Sequence, residues 1–432
     1  MTGYAIEGWS ELFLCVGGAT AALSGLIFMG LSFTPSRGDS RLRTGKYQAK
    51  LIRMRETIRA ACAIAGFASL LTVSACSAAD GGGTSTIRDV AGTQAAIASS
   101  SPKPSASLHG TAAARSVTIA AVGDTMLGDT PDLPPDPGAY LDAVEPVLDR
   151  GAQIVFGNLE GTLTTATAGK CGPASHPAKN CFEFRDPPGY ARYFKQAGFT
   201  ILNDANNHSF DFGAAGQAQT VRTIHAAGMA QTGLPGEITV VKADGVTVAF
   251  LAFAPYAYDA DLLDLPAARS LIERAKREAD VVVVYMHAGA EGSGADHVTG
   301  REEHYLGEDR GNPEAFAHMA IDAGASLVIA SGPHVLRGMQ FYKGHLIAYS
   351  LGNFAGYGNF ATSGDLGISV ILHVTLSGAG RFESARLYPV QFAGTGRPVP
   401  GGTGVAFTAQ LGSADFGPTA ARISSSGVIT PP

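Results

Sequence analysis

Seven side chains along this chain have the types and order of a metal-dependent site: Asp124, Asn158, Glu160, Asn207, His208, His287 and His334. Carboxylates, amides and imidazoles with no thiolate among them form a mixed oxygen and nitrogen donor set that suits Mn, Fe or Zn, as one ion or two. A divalent cation held this way polarises a phosphoryl oxygen and activates water. A neighbouring imidazole near its ordinary pKa can pass a proton to a leaving group. Taken singly, an Asp or Asn after an apolar run is more often a turn former or a helix cap. Turn chemistry has no need of His and Glu in those places, and their recurrence points to metal.

Each candidate follows a short apolar run that reads as a β-strand. The run at 117–122 precedes Asp124, that at 154–156 precedes Asn158 and Glu160, and that at 200–202 precedes Asn207 and His208. Runs at 281–286 and 326–330 precede His287 and His334. Between them, stretches at 140–148, 189–197, 214–226, 271–279 and 313–323 carry apolar residues at helical spacing. The alternation predicts an α/β fold with a largely parallel, helix-covered sheet, whose carboxyl edge gathers the seven side chains.

The chain of 432 residues is 45% hydrophobic and 16% charged, enough to bury a large core and leave length to spare. The spare length lies first at the N-terminus. Residues 12–33 form an uncharged apolar run long enough to span a bilayer, within a segment 1–53 that reads as a transmembrane helix or as sequence ahead of the true start. Residues 54–76 have the anatomy of a secretory signal: Arg55 and Arg59, an apolar centre, then Val73-Ser74-Ala75-Cys76. Small residues just before a cysteine resemble the lipobox of bacterial lipoproteins, which makes Cys76 the lipidated residue. The rival reading is a hairpin of two membrane helices around the basic stretch Arg37 to Lys50, which then stays cytoplasmic. Both readings place the remainder outside the cytoplasm, anchored to the membrane. Residues 77–115, rich in Ala, Ser, Thr, Gly and Pro, read as a flexible tether, and 116–392 as the folded domain. The stretch 393–432 reads as a Gly/Pro/Ser-rich tail in which Val405-Ala406-Phe407 could form a last edge strand.

Cysteine usage agrees with export. Cys15 and Cys62 fall in segments that processing removes and Cys76 carries lipid, so Cys171 and Cys181 remain as the disulfide pair. Closing so short a loop stabilises by roughly 3 kcal/mol in the chain-entropy model. Eight of the 31 basic and four of the 37 acidic residues precede Cys76, so the remainder carries 23 basic against 33 acidic side chains, a net charge of −10. That balance argues against nucleic acid as a partner.

Taken in order, Gly123-Asp124-Thr125-Met126, Asn158-Leu159-Glu160, Ala205-Asn206-Asn207-His208, His287-Ala288-Gly289-Ala290-Glu291 and Gly332-Pro333-His334 resemble the bacterial capsule-synthesis CapA family, also known for poly-γ-glutamate biosynthesis. The stretch Tyr349-Ser350-Leu351-Gly352-Asn353-Phe354 matches that family's most recognisable signature, and the resemblance runs over about 116–392. It implies a four-layer α/β/β/α sandwich of the calcineurin-like metallophosphoesterase type. It also implies that Asp124, Asn207, His287 and His334 are metal ligands, with Asn158 and Glu160 at the second-strand position, and that His208 is the acid that assists the leaving group. Two departures stand against a full two-metal enzyme. Met126 replaces an imidazole of the phosphoesterases, as in the CapA family itself, and Ser331-Gly332 lacks the second His usual before Pro333-His334.

Three secondary assignments complete the reading. Arg185 is a candidate clamp for an anionic substrate, though an arginine in such a place more often is solvated or braces a loop, Glu291 is a candidate carboxylate that orients His287, and His297, His304 and His318 are surface or helix residues. The leading function is a surface-anchored protein for synthesis, release or attachment of capsule or poly-γ-glutamate. The alternatives are an envelope phosphoester hydrolase and a non-catalytic module that binds polymer or a membrane-bound synthase. The expected partners are an anionic extracellular polymer or a phosphoester.

Overall fold

The computed structural model describes residues 115–173 and 178–432. The readings made for residues 1–114, lipidation of Cys76 included, lie outside the described residues. Among the described residues no helix is long and apolar enough to cross a membrane.

Alternation builds the centre of the molecule. In the strand Ser116–Thr125, Val117, Ile119 and Ala121 face one core while Ala120 and Val122 face another, all of them buried. Val281–His287 repeats the pattern, with Val281, Val283 and Tyr285 on one side and Val282, Val284 and Met286 on the other. A strand apolar on both faces must be covered on both. The shared core therefore lies between two sheets, and the outer cores lie between each sheet and its helices. The mixed α/β arrangement is thus helices, sheet, sheet, helices.

In the first sheet, Ser116–Thr125, Ile154–Leu159, Ile201–Asn203 and Ala230–Thr232 run parallel. Ile368–Ser377 and Phe382–Ala393 extend it antiparallel from the other side of Ser116–Thr125. In the second sheet, Val246–Phe253, Val281–His287, Leu327–Ser331 and His345–Ala348 run parallel, with antiparallel edges Thr239–Ala243 and Met339–Tyr342.

Sequence explains the helices locally. In Leu265–Glu278 the buried residues Ala268, Leu271, Ile272 and Ala275 follow the i, i+3, i+4, i+7 spacing. Asp264 caps its first turn by accepting from the Ala267 N–H at 3.0 Å, and Lys276 and Arg277 sit where the helix dipole favours cations. In Pro313–Asp322 the Asn312 side chain accepts from Ala315 N–H at 3.0 Å, with Pro313 opening the first turn.

The C-terminal reading requires correction. Val405-Ala406-Phe407 lies in a helix, Gly404–Phe416, not in an edge strand, and Arg397–Pro400 and Val428–Thr430 pair with Phe382–Ala393. Val405, Leu411, Phe416 and Ile429 are buried, and Phe416 stacks on Tyr349 at 4.9 Å. Composition misled because a few well-placed apolar residues are enough to dock the segment on the domain. A Cβ on Gly338 would fall 2.6 Å from the Gly412 Cα, so paired glycines let this helix lie against the second sheet.

Candidate metal centre

The parallel strands of both sheets end at one edge. Asp124 sits near the end of Ser116–Thr125, where the pairing register with Ile154–Leu159 slips between Val122 and Asp124. Such a bulge re-aims a side chain. Gly123 permits it, because a Cβ there would collide with the Gly352 carbonyl, and Asp124 N–H donates to that carbonyl at 3.0 Å. Glu160 follows the second strand, Asn206 to His208 follow the third, and His287 closes the central strand of the second sheet. His334 follows Leu327–Ser331 with a left-handed backbone, φ 61°.

Asp124, Glu160 and His287 are fully buried, and one ligand atom from each lies within 4.8 Å of the other two. Asn158 organises the carboxylates. Its Nδ2 donates to Asp124 Oδ1 at 2.8 Å and to Glu160 Oε2, while its Oδ1 accepts from Asn203 at 2.6 Å and Asn206 at 3.0 Å. The amide oxygen is therefore turned away from the centre, and Asn158 is a brace for two carboxylates instead of the ligand the sequence suggested.

The atoms left over are the informative ones. Asp124 Oδ2, Glu160 Oε1, His287 Nε2 and Asn207 Oδ1 are buried without a well-formed hydrogen bond among the described residues. Glu160 Oε1 stands 3.6 Å from His287 Nε2, and His334 Nδ1 stands 3.0 Å from Asp124 Oδ2 while its better-directed bond goes to Asn353 Oδ1 at 2.9 Å. Each unpaired buried polar atom costs about 1–3 kcal/mol. Two carboxylate oxygens and one imidazole nitrogen within 4.8 Å of one another are a donor set a divalent transition metal takes, so Asp124, Glu160 and His287 fit such an ion.

The electrostatics agree. Burial and the neighbouring Asp124 carboxylate push Glu160 well above the ordinary range. Burial also works to raise Asp124, but the imidazolium of His334, 3.0 Å from its Oδ2, holds it below the ordinary range. Burial keeps the His287 imidazole neutral, which leaves Nε2 a lone pair to offer, and Tyr285 hydroxyl meets Nδ1 at 3.2 Å. Burial opposes the charged form of His334, yet Asp124, Glu291 and Glu160 outweigh it and lift the group to about 10.

A cleft of about 760 Å³ opens over this centre and is lined by Asn207, His208, His334, Lys170, Glu291 and Arg310 among others. His208 is buried and bonded through Nδ1 to Asp211 Oδ2 at 2.9 Å, and its ring lies 4.5 Å from that of Phe184. Burial lowers its pKa against the pull of Asp211. Cys171 and Cys181 are joined, their Cα atoms 5.5 Å apart, with Cys181 on the wall of the same cleft.

Two secondary assignments change. Arg185 does not line the cleft: its guanidinium bonds the Ala166 carbonyl and lies over the Phe212 ring at 5.2 Å, so it braces a loop. Glu291 does not orient His287. Its Oε1 pairs with Arg310 at 2.9 Å and its Oε2 faces His334 Nε2 at 3.7 Å. His297 and His304 are exposed, and His318 bonds Gln340 at 2.8 Å, away from the centre.

Sequence reasoning missed Asp211, Lys170, Arg310, Asn353 and Tyr285 as neighbours of the centre. Asp211 was accessible in principle, three residues after His208. Tyr285 was too, two residues before His287, whereas Lys170, Arg310 and Asn353 come from segments remote in sequence, and Arg310, only 1% exposed, has no local signature of burial. Met126 is buried with its sulfur 2.8 Å from Asn359 Nδ2, and Ser331 is bonded to Tyr285, so neither position adds a strong ligand.

Comparison with known proteins follows the same lines. Residues 118–357, more than half of the chain, match the model of the Bacterial capsule synthesis protein PGA_cap family. The chain is 29% identical over 282 residues to the PGA biosynthesis protein CapA of Bacillus subtilis (strain 168), covering 61% of this chain and 69% of that protein. It is 34% identical over 181 residues to the capsule biosynthesis protein CapA of Bacillus anthracis, covering 37% of this chain and 41% of the other. Among solved structures, a candidate 5′-nucleotidase from Staphylococcus aureus superposes with a TM-score of 0.38 at 15% identity, over 68% of this chain and 58% of that one. That likeness is too distant for its activity to bear on this chain.

Proposed function

The chain belongs to the Bacterial capsule synthesis protein PGA_cap family, and from that premise we propose that it acts at the cell envelope, in synthesis, release or attachment of capsule or poly-γ-glutamate, through a metal-dependent hydrolase or transferase site. The supporting observation is the convergence of buried ligand atoms from Asp124, Glu160 and His287, within 4.8 Å of one another, beside a cleft that Asn207 and His334 line. In this reading Asp124, Glu160, His287 and Asn207 hold one divalent transition metal, with His334 at its edge, and the protein is anchored outside the cytoplasm through Cys76 or an N-terminal helix.

A bound divalent ion would supply Lewis-acid polarisation of a phosphoryl or carbonyl oxygen and a nucleophile at neutral pH. The protein's own residues do the rest. Asn158 fixes the inner oxygens of Asp124 and Glu160, so their outer oxygens keep one orientation. Tyr285 occupies His287 Nδ1 and leaves Nε2 as the coordinating nitrogen. Asp211 occupies His208 Nδ1, which leaves Nε2 to deliver a proton to the leaving oxygen and recover it from solvent.

A second reading, a general phosphoester hydrolase of the envelope, is favoured by the same His208–Asp211 pair on the cleft wall. Metal analysis of the purified protein and of His287→Ala, followed by a panel of phosphoesters and poly-γ-glutamate, tests both. Metal in the parent and not in the variant, with turnover of one substrate class, supports the site and selects between them. Equal metal in parent and variant removes the site and leaves a polymer- or synthase-binding module.

A further inference from the structure

The Cys171–Cys181 disulfide ties together two segments beside the cleft. Lys170, at the start of the loop it closes, reaches Asp211 Oδ1 with Nζ at 2.6 Å and donates to the Asn207 carbonyl at 2.8 Å. The loop is fastened to the same place from both ends. Lys170 N–H donates to the Asp211 carbonyl at 2.7 Å, Phe184 N–H donates to Asp211 Oδ2 at 2.6 Å, and Cys171 N–H donates to Glu183 at 2.9 Å. The disulfide thus holds together two strands of chain that both grip Asp211.

An ammonium carries three protons. Two are used by Asp211 and Asn207, and the Lys170 side chain, 35% exposed, lines the cleft beside His208. The other side-chain cation of the cleft wall is enclosed: Arg310 is 1% exposed and held at 2.9 Å by both Glu291 and Tyr256. Arg185 is outside the cleft. Lys170 is therefore more exposed than Arg310, and next to both His208 and the proposed ligand Asn207.

We propose that Lys170, presented by the Cys171–Cys181 loop, is the residue that binds a phosphoryl oxygen of the substrate in this cleft. The proposal rests on the metal-centre reading above, since that centre would take the other phosphoryl oxygens. A compact ammonium suits this task as a point charge, and its anchoring to Asp211 limits the entropy lost on binding.

The test measures inorganic phosphate binding by calorimetry, with metal content determined alongside, in the metal-loaded parent, Lys170→Met, Lys170→Arg and the Cys171→Ser/Cys181→Ser double variant. Loss of one charge-assisted hydrogen bond predicts a weakening of about tenfold or more in Lys170→Met with metal content unchanged. Partial recovery is expected in Lys170→Arg, and a several-fold weakening in the double variant. A brace for Asp211 alone would slow turnover without moving phosphate affinity, so parental affinity in Lys170→Met overturns the proposal. Parental affinity in the double variant overturns the part given to the loop. Failure of the metal-loaded parent to bind phosphate would overturn the proposal together with the metal-centre reading, whereas binding in the parent and in Lys170→Met alike removes only the proposal.

Discussion

Around His208 the polar groups are matched: Asp211 takes Nδ1, Lys170 and the Phe184 N–H take Asp211, and the Phe184 ring packs on the imidazole. Around Asp124, ligand atoms of Asp124, Glu160 and His287 lie within 4.8 Å of one another, and Asp124 Oδ2, Glu160 Oε1 and His287 Nε2 lack well-formed hydrogen bonds. Both regions are buried, so the desolvation cost is alike and only the pairing differs. The matched region is preorganised by the protein alone, as a proton-transfer group must be. The unmatched region carries its electrostatic cost as a raised Glu160 and an elevated His334, and a cation would offset both.

The largest expected effect breaks the unmatched side. His287→Ala should lower metal affinity at least about 100-fold, beyond what loss of an outer partner costs, and abolish activity with it. Atomic emission analysis after dialysis reads it, and retained metal would equate the two regions. Next, His208→Ala should keep its metal while losing roughly 10²–10⁴-fold in turnover. Metal loss in that variant would mean the matched side is also a ligand shell.

Smaller effects sharpen the contrast. Replacing both Cys171 and Cys181 with Ser should lower the unfolding free energy by roughly 3 kcal/mol in urea melts, without removing metal. Asp186 offers an internal control, a carboxylate buried as deeply as Asp124 but held by backbone N–H groups of Leu127 and Gly128, with no cation among its causes of shift. Burial lifts it to about 8 from 3.8. A carboxylate raised on folding binds more protons in the native state, so its stabilising contribution falls as pH rises from about 4 through 8. Denaturation at pH 5 and pH 8 should show a decline that is smaller in Asp186→Asn than in the parent, by the same margin with and without added metal. The smallest effect belongs to Arg185→Lys, expected to leave phosphate affinity unchanged. A tenfold loss there would restore Arg185 to the substrate.

Much of this was legible before the fold was known, for reasons particular residues make plain. Apolar runs on both faces, such as residues 281–286, can only be central strands, and polar residues that follow such runs must gather at one sheet edge. That placed Asp124, Glu160, Asn207, His208, His287 and His334 near one another, and Cys171 with Cys181. Asn158 could be placed at the edge too, but not aimed: which way its amide turns depends on Asn203 and Asn206. Arg185 and Glu291 sat near signature motifs yet found partners from other segments, Ala166 and Phe212 for one, Arg310 for the other.

Sequence by itself determined which residue types reach the sheet edge, because strand periodicity and chain direction are local properties. Only the tertiary structure decided which of their atoms are left unpaired, because a hydrogen bond needs two groups and the second usually comes from far along the chain. Lys170 meets Asp211 and Asn207 across about forty residues, and Gly338 meets Gly412 across more than seventy. Such meetings are set by how two sheets and their loops pack, and that packing leaves no trace in any single stretch of sequence.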